Sequence, residues 1–293
     1  MPTNSKLTLG TVKLGLPEYG CSDGGVLKDP VDFILRSIDL GIRHIDTSPR
    51  YGNSEELIGK ALKKSNKKPI ISTKVDNLTP NSLKTPELMI NSINESTHKL
   101  GGNIDICYLH QNEIEIISDK YVHKGIGQLK NNGLIKEVGT SVYSKEELKY
   151  TLDSGIFDWV QIPVNILDTS FYHAVCEHGS NIKVSVRSVF LQGMLFNNEW
   201  VRVSIKDHEE LLRTLNIVRG LCSKFDITIQ QLSISYLASL ERINQIIIGT
   251  ISDDKLINNI SCERILLDKQ LIFDINKISL SSKSWTNPRS WQQ

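Results

Sequence analysis

Residues 44–62 read HIDTSPRYGNSEELIGKAL. The segment opens with apolar-polar alternation, crosses a turn containing Pro49 and Gly52, and ends as an amphipathic helix. It is a strand–turn–helix unit with a carboxylate, Asp46, at the strand end and a phenol, Tyr51, just past it. Similar units recur along the chain. Short apolar runs stand at 7–11 (LTLGT), 43–47 (RHIDT), 69–74 (PIISTK), 104–110 (IDICYLH), 136–141 (KEVGTS), 157–163 (FDWVQIP), 182–188 (IKVSVRS) and 244–250 (NQIIIGT). Between most of them lie segments with apolar residues at spacings of three and four, at 29–41, 54–64, 85–101, 145–155 and 207–225. Several open on a capping pattern: Asp29 before Pro30, Ser54 with Glu55 and Glu56, Ser144 with Glu146 and Glu147.

Strands this apolar have no wet face, and helices between them must cover a parallel sheet. The pattern therefore predicts a closed (β/α)8 barrel, the TIM-barrel fold. The rival, an open doubly wound sheet, normally carries a Gly-rich phosphate loop after its first strand. Here that strand ends LGTVKLG, without G-x-G-x-x-G. No linker divides the 293 residues, so a single domain is expected, with 262–293 as a C-terminal tail that packs back on the barrel through Trp285 and Trp291.

Composition narrows the function classes. A hydrophobic fraction of 39%, a charged fraction of 23% and a net charge of +1 describe an ordinary globular chain. The dispersed basic residues argue against nucleic acid or an anionic membrane as the main partner. MPTNSKLTLG has no signal-peptide core, no segment approaches a membrane span, and a cytoplasmic protein is expected. The five cysteines are far apart and lack metal-site spacing, and the seven histidines include no H-x-H pair, which leaves a metal-dependent hydrolase without ligands.

Barrel enzymes carry their reactive groups at the C-terminal ends of strands. The polar residues there are Gly10 and Thr11, Asp46 with Tyr51, Lys74, His110, Ser141, Gln161 and Asn165, Arg187 and Ser188, and Gly249 and Ser252. Singly, Asp46 could cap a turn, Lys74 could sit on the surface and His110 could be a satisfied near-core histidine. Together, at successive strand ends, Asp46, Tyr51, Lys74 and His110 converge into a proton donor. A free tyrosine, with a pKa of about 10, is a poor acid at neutral pH, and an adjacent ammonium stabilises its phenolate. Asp46 would hold Lys74 charged, and neutral His110 would position a substrate oxygen beside Tyr51. Such a set suits protonation of a carbonyl oxygen as hydride reaches its carbon.

The sequence resembles the aldo-keto reductase family over nearly all its length. The matching segments are DTSPRYGNSEELIGKAL, ISTKV, DICYLHQ, IKEVGTS, VQIPVN, SVFLQGML and IIIGTISDDKLINNI, in that order. The resemblance implies a barrel that uses NADP(H), with NAD(H) possible in its place, and an Asp-Tyr-Lys-His tetrad formed by Asp46, Tyr51, Lys74 and His110. It assigns Ser141 and Gln161 to the nicotinamide carboxamide, and Gly10 and Thr11 to the nicotinamide riboside. Ser188, Gln192 and Gly193 fall at the pyrophosphate, and Ser252, Lys255 and Asn259 at the 2′-phosphate and adenine. Three departures stand out. Val142 replaces a common Asn that contacts the carboxamide. Arg187 replaces an aromatic that stacks on the nicotinamide, a task open to a planar guanidinium. Ile251 and Asn258 replace a frequent Arg and Glu, which leaves Lys255 as the obvious cation for the phosphate.

VQIPVNILD and RSVFLQGML look like bacterial members associated with cell-surface polysaccharide pathways. The expected partner is a small carbonyl or sugar-like substrate, in a pocket rimmed by Tyr51, His110, the region of Asn165 and Phe171, the 194–206 loop with Trp200, and Trp285. A competing reading is a catalytically silent, nucleotide-sensing or regulatory subunit on the same barrel. The sequence leaves the physiological substrate and the oligomeric state open.

Overall fold

Eight strands, β1 Leu7–Gly10, β2 His44–Asp46, β3 Ile70–Val75, β4 Ile104–Leu109, β5 Ile135–Ser141, β6 Trp159–Pro163, β7 Lys183–Arg187 and β8 Ile243–Gly249, pair in parallel and in chain order. β8 returns to β1 and closes the barrel, with Gly10 opposite Gly249. The structure is a computed structural model and describes residues 5–20, 27–197, 199, 201, 205–279 and 284–286. Trp200, Trp291 and Cys21 lie outside the described residues.

All eight expected strands form, each within about a residue or two of the apolar run that predicts it. β1 is buried throughout and β3 at every position but its first, as a sheet covered on both faces requires. Helices Pro30–Asp39, Ser54–Lys64, Thr85–Leu100, Lys145–Asp153 and His208–Lys224 occupy the expected segments. Lys120–Asn131, Ser170–His178, Ile229–Ser239 and Asp253–Cys262 are further helices of the chain. The first three helices named bury Phe33 and Ile34, Ile58 and Met89 in turn, all fully buried. Each such side chain contributes about 1.5–3 kcal/mol relative to exposure.

Two of the three expected caps form. Asp29 accepts from the Asp32 amide ahead of Pro30, and Ser144 forms a reciprocal box with Glu147. The third differs. Asn53 occupies the cap position, and Ser54, one residue on, is buried with its hydroxyl 2.5 Å from that of Thr47 and 3.3 Å from that of Thr11. The serine ties the helix to the loops after β1 and β2, and those loops hold the site.

The described part of the tail packs back on the barrel. Helix Lys269–Ser279 buries Leu271 and Ile275, and the carbonyl of Ser279 accepts from the Thr169 amide at 2.9 Å. Trp285 is buried, and the Thr286 hydroxyl donates to Asp168 at 2.8 Å. Among the described residues no helix is long and apolar enough to cross a membrane.

Candidate active site

Register decides which side chains meet. Gly10 stands opposite Asp46 and Gly249, Asp46 opposite Ser72, and Ser141 opposite Gln161, so these strand ends share the mouth of the barrel. A cavity of about 750 Å³ opens there. Its lining includes the four residues of the expected tetrad, Asp46, Tyr51, Lys74 and His110.

Lys74 is at the centre. Its Nζ lies 2.8 Å from Asp46 Oδ2 and donates to the Thr47 carbonyl at 2.7 Å, and the two charged side chains are only 3% and 6% exposed. A buried pair survives its desolvation cost only when such bonds accompany it. Burial is the largest single influence and works against the lysine's charge, but Asp46, by charge and hydrogen bond, and Tyr51 together outweigh it and hold the pKa above the ordinary lysine value. The same Nζ is 5.1 Å from the centre of the Tyr51 ring.

Tyr51 titrates opposite to the sequence expectation. Burial pushes its pKa up, the Lys74 ammonium pulls it down, and burial wins. The phenol therefore carries its proton at neutral pH. Its ring meets His110 edge-on, with centres 6.5 Å apart. Burial first and Lys74 second push the His110 pKa down to about 4, so this imidazole is neutral at pH 7. Its Nδ1 lies 3.2 Å from the Ser48 hydroxyl.

Glycine fixes where Tyr51 stands. A Cβ on Gly15 would lie 1.8 Å from the Tyr51 carbonyl oxygen, and one on Gly52, at φ +54°, 2.5 Å from the Gly15 carbonyl. The backbones at Gly15 and at Tyr51–Gly52 are thus in direct contact. Gly15→Ala should push the Tyr51 loop aside. We expect kcat to fall by about 10²-fold, the cost of a displacement near 1 Å. Thermal unfolding and steady-state rates separate this from global damage, because a loss of stability with unchanged kcat would leave the loop where it was.

A polar chain runs along the cavity floor. Gln161 donates to Asp46 Oδ1 at 3.3 Å, the Ser141 hydroxyl donates to Gln161 Oε1 at 3.0 Å, and Arg187 Nε donates to Ser141 at 3.2 Å. Arg187 Nη2 also reaches the Val142 carbonyl at 2.8 Å, and the guanidinium stacks on the Tyr143 ring at 3.7 Å. Ser188, Leu191 and Gln192 all adopt positive φ, at 61°, 47° and 55°. Side-chain-bearing residues held this way cost about 1–3 kcal/mol each, a strain that concentrates in ligand clamps.

Of the residues expected to touch a cofactor, Gly10, Thr11, Asp46, Ser141, Gln161, Arg187, Ser188, Gln192, Gly193, Gly249, Lys255 and Asn259 line this cavity. Ser252 does not line it; its hydroxyl caps helix Asp253–Cys262 by accepting from the Lys255 amide at 3.4 Å. Lys255 is exposed on the first turn, and Asn259 is buried with its Oδ1 accepting from Gln230 at 2.6 Å. Asp253 pairs with Arg36 through contacts of 3.0 and 2.9 Å, which offsets one of the two carboxylates flanking the lysine.

The rim differs more. Asn165, Phe171 and Trp285 are buried and absent from the lining. Asn165 accepts from the Leu167 amide, so its side chain is engaged in shaping its own loop. Tyr19, Tyr143, Phe190, Phe196 and Gln230 line the cavity without having been expected. Phe190 and Phe196 lie within the SVFLQGML match and just beyond it, and Tyr143 follows IKEVGTS by two residues, so their neighbourhoods were legible although their orientation was not. Gln230 lies inside the Thr228–Gln231 capping box, a readable helix start. Tyr19 sits in LPEYG, which carries no periodic signal.

The aldo/keto reductase family model matches residues 6–280. The chain belongs to this family. Its members are oxidoreductases that use nicotinamide cofactors. Among characterised relatives, the NADH-specific methylglyoxal reductase of Escherichia coli is 22% identical, over 89% of this chain and 94% of its own. The L-galactose dehydrogenase of Arabidopsis thaliana is 23% identical, over 99% and 97%. A solved aldo-keto reductase from a Medee basin deep-sea metagenome library superposes with a TM-score of 0.69 at 22% identity, covering 97% of this chain and 93% of the other, and shares the barrel.

Proposed function

We propose that this member reduces the carbonyl group of a small polar, sugar-like substrate, with Tyr51 as the general acid, and runs the reverse oxidation with Tyr51 as the base. The observation that carries the reading is the buried Lys74–Asp46 pair beside a protonated Tyr51 and a neutral His110.

The cavity residues fit a nicotinamide dinucleotide. Its volume of about 750 Å³ lies within the usual range for ligand pockets. Ser141 and Gln161 offer hydroxyl and amide partners for a carboxamide, the positive-φ turn at 188–193 suits a diphosphate, and Lys255 and Asn259 stand at one end for the nucleoside. When bound, the reduced cofactor supplies hydride to the carbonyl carbon. Tyr51 gives its proton to the carbonyl oxygen. The phenolate left behind is stabilised by the Lys74 ammonium, which Asp46 keeps charged. His110 donates a hydrogen bond to the same oxygen and orients the carbonyl toward the phenol. The protein thus supplies one proton and fixed dipoles, and it recovers the proton from solvent.

Sugar-like character rests on the mixed polar and aromatic lining and on the resemblance to members associated with surface polysaccharides. The similarity to L-galactose dehydrogenase agrees with it. We place the reaction in the cytoplasm, where reduced nicotinamides are made. The runner-up, a silent regulatory subunit, would leave the buried Lys74–Asp46 pair without a task.

Between the two cofactors, NADPH is the proposed preference. The helix N-terminus after β8 favours a phosphate, and Lys255 lies on its first turn. One charge-assisted contact contributes about 1.5–3 kcal/mol, or roughly 10- to 100-fold in affinity. Lys255→Ala should therefore weaken NADPH by about that factor and leave NADH unchanged, as read by fluorescence titration. Equal wild-type affinities would overturn the preference, and binding of neither cofactor would overturn the whole reading.

A further inference from the structure

We propose that Arg187 makes the site bind the reduced nicotinamide more tightly than the oxidised one, which biases this protein toward carbonyl reduction. The proposal rests on the nicotinamide reading above and adds a direction to it.

The charges around the cavity floor are unequal in their compensation. Lys74 is matched by Asp46 at 2.8 Å. Arg187 takes part in none of the ion pairs among the described residues. It is held instead by neutral acceptors, the Ser141 hydroxyl and the Val142 carbonyl, and by the face of Tyr143. His110 is neutral and adds nothing at pH 7. A guanidinium does not lose its proton in a protein, so a permanent positive charge stands at the end of β7.

Its neighbours fix what that charge acts on. A carboxamide that uses Ser141 and Gln161 engages two residues already linked to each other, one of them bonded to Arg187 and the other to Asp46. A ring attached to that carboxamide would be held beside Ser141, which the Arg187 Nε itself reaches at 3.2 Å. The ring is cationic when oxidised and neutral when it carries the hydride. Like charges at contact distance repel, and only the oxidised form pays that cost. Arg187 is half-buried, so solvent screens part of the repulsion. A difference of about tenfold between the two redox states falls between the fully solvated and protein-interior limits.

Calorimetric titration of the purified protein with NADPH and with NADP⁺ tests this, in the wild type, Arg187→Gln and Arg187→Lys. The quantity of interest is the ratio of the two dissociation constants, which cancels contacts common to both states. The wild type should favour NADPH. Arg187→Gln, which removes the charge and retains a planar donor, should lower that preference by about tenfold, mainly by tightening NADP⁺. Arg187→Lys should keep most of it, and added salt should reduce it. An unchanged ratio in Arg187→Gln, or equal weakening of both states, would overturn the proposal and make Arg187 a packing residue only. Thermal unfolding of each variant checks that it is folded. If the wild type bound neither redox state of NADP and neither of NAD, the nicotinamide reading itself would fall, a result distinct from an unchanged ratio.

Discussion

Tyr51→Phe should lower turnover by about 10²–10⁴-fold, the usual worth of general acid catalysis, while leaving cofactor affinity nearly unchanged. The change removes one oxygen from a half-buried ring that meets His110 edge-on and faces Lys74, so the packing of the loop is kept. The phenol is needed only as the carbonyl oxygen gains negative charge, which happens in the transition state. The loss should therefore fall on kcat rather than on the dissociation constant for NADPH. Steady-state rates and fluorescence titration on the same preparation separate the two, and near wild-type turnover would remove Tyr51 from the mechanism.

Lys74→Met carries a second penalty. Turnover should fall at least as far as in Tyr51→Phe, because the phenolate loses the ammonium that stabilises it. Stability should also fall, by about 3–5 kcal/mol, since the variant leaves Asp46 buried without its partner. Adding Asp46→Asn should recover part of the stability and none of the turnover. The pH dependence has a definite sign. Lys74 pulls the Tyr51 pKa down against burial, so its removal raises that pKa further. The pH profile of alcohol oxidation, which needs Tyr51 deprotonated, should move to higher pH. Chemical denaturation and a pH–rate profile read the two effects separately, and an unchanged profile would make Lys74 structural only.

The barrel was legible because a parallel sheet covered on both faces leaves a strong mark: eight apolar runs, each followed by helical spacing or a turn. Asp46, Lys74 and His110 were legible for the same reason, as polar residues at or just past the ends of apolar runs. Three-dimensional balance was less so. The sequence places an ammonium near Tyr51 but not the depth of the phenol, and depth decides the direction of its pKa. It marks Ser54 as a cap by type, whereas the hydroxyls of Thr47 and Thr11 draw it inward by one register position. Asn165, Phe171 and Trp285 have the chemistry of a rim, but burial removes them from it, and aromatic residues from irregular loops, such as Tyr19 and Phe196, take their place. Loops have no period, so which of their side chains turn inward is settled by tertiary packing.

On the proposed reading, the Tyr51, Lys74, Asp46 and His110 arrangement turns over a carbonyl substrate. The most direct measurement is the oxidation of NADPH and NADH by the wild-type protein, followed by absorbance, across small aldehydes, free sugars and nucleotide-linked keto sugars. Polar, sugar-like carbonyl compounds should be turned over, and Tyr51→Phe should lower that turnover by about 10²–10⁴-fold. Tight cofactor binding with no turnover of any of these compounds would contradict that reading and leave a nucleotide-sensing barrel in its place.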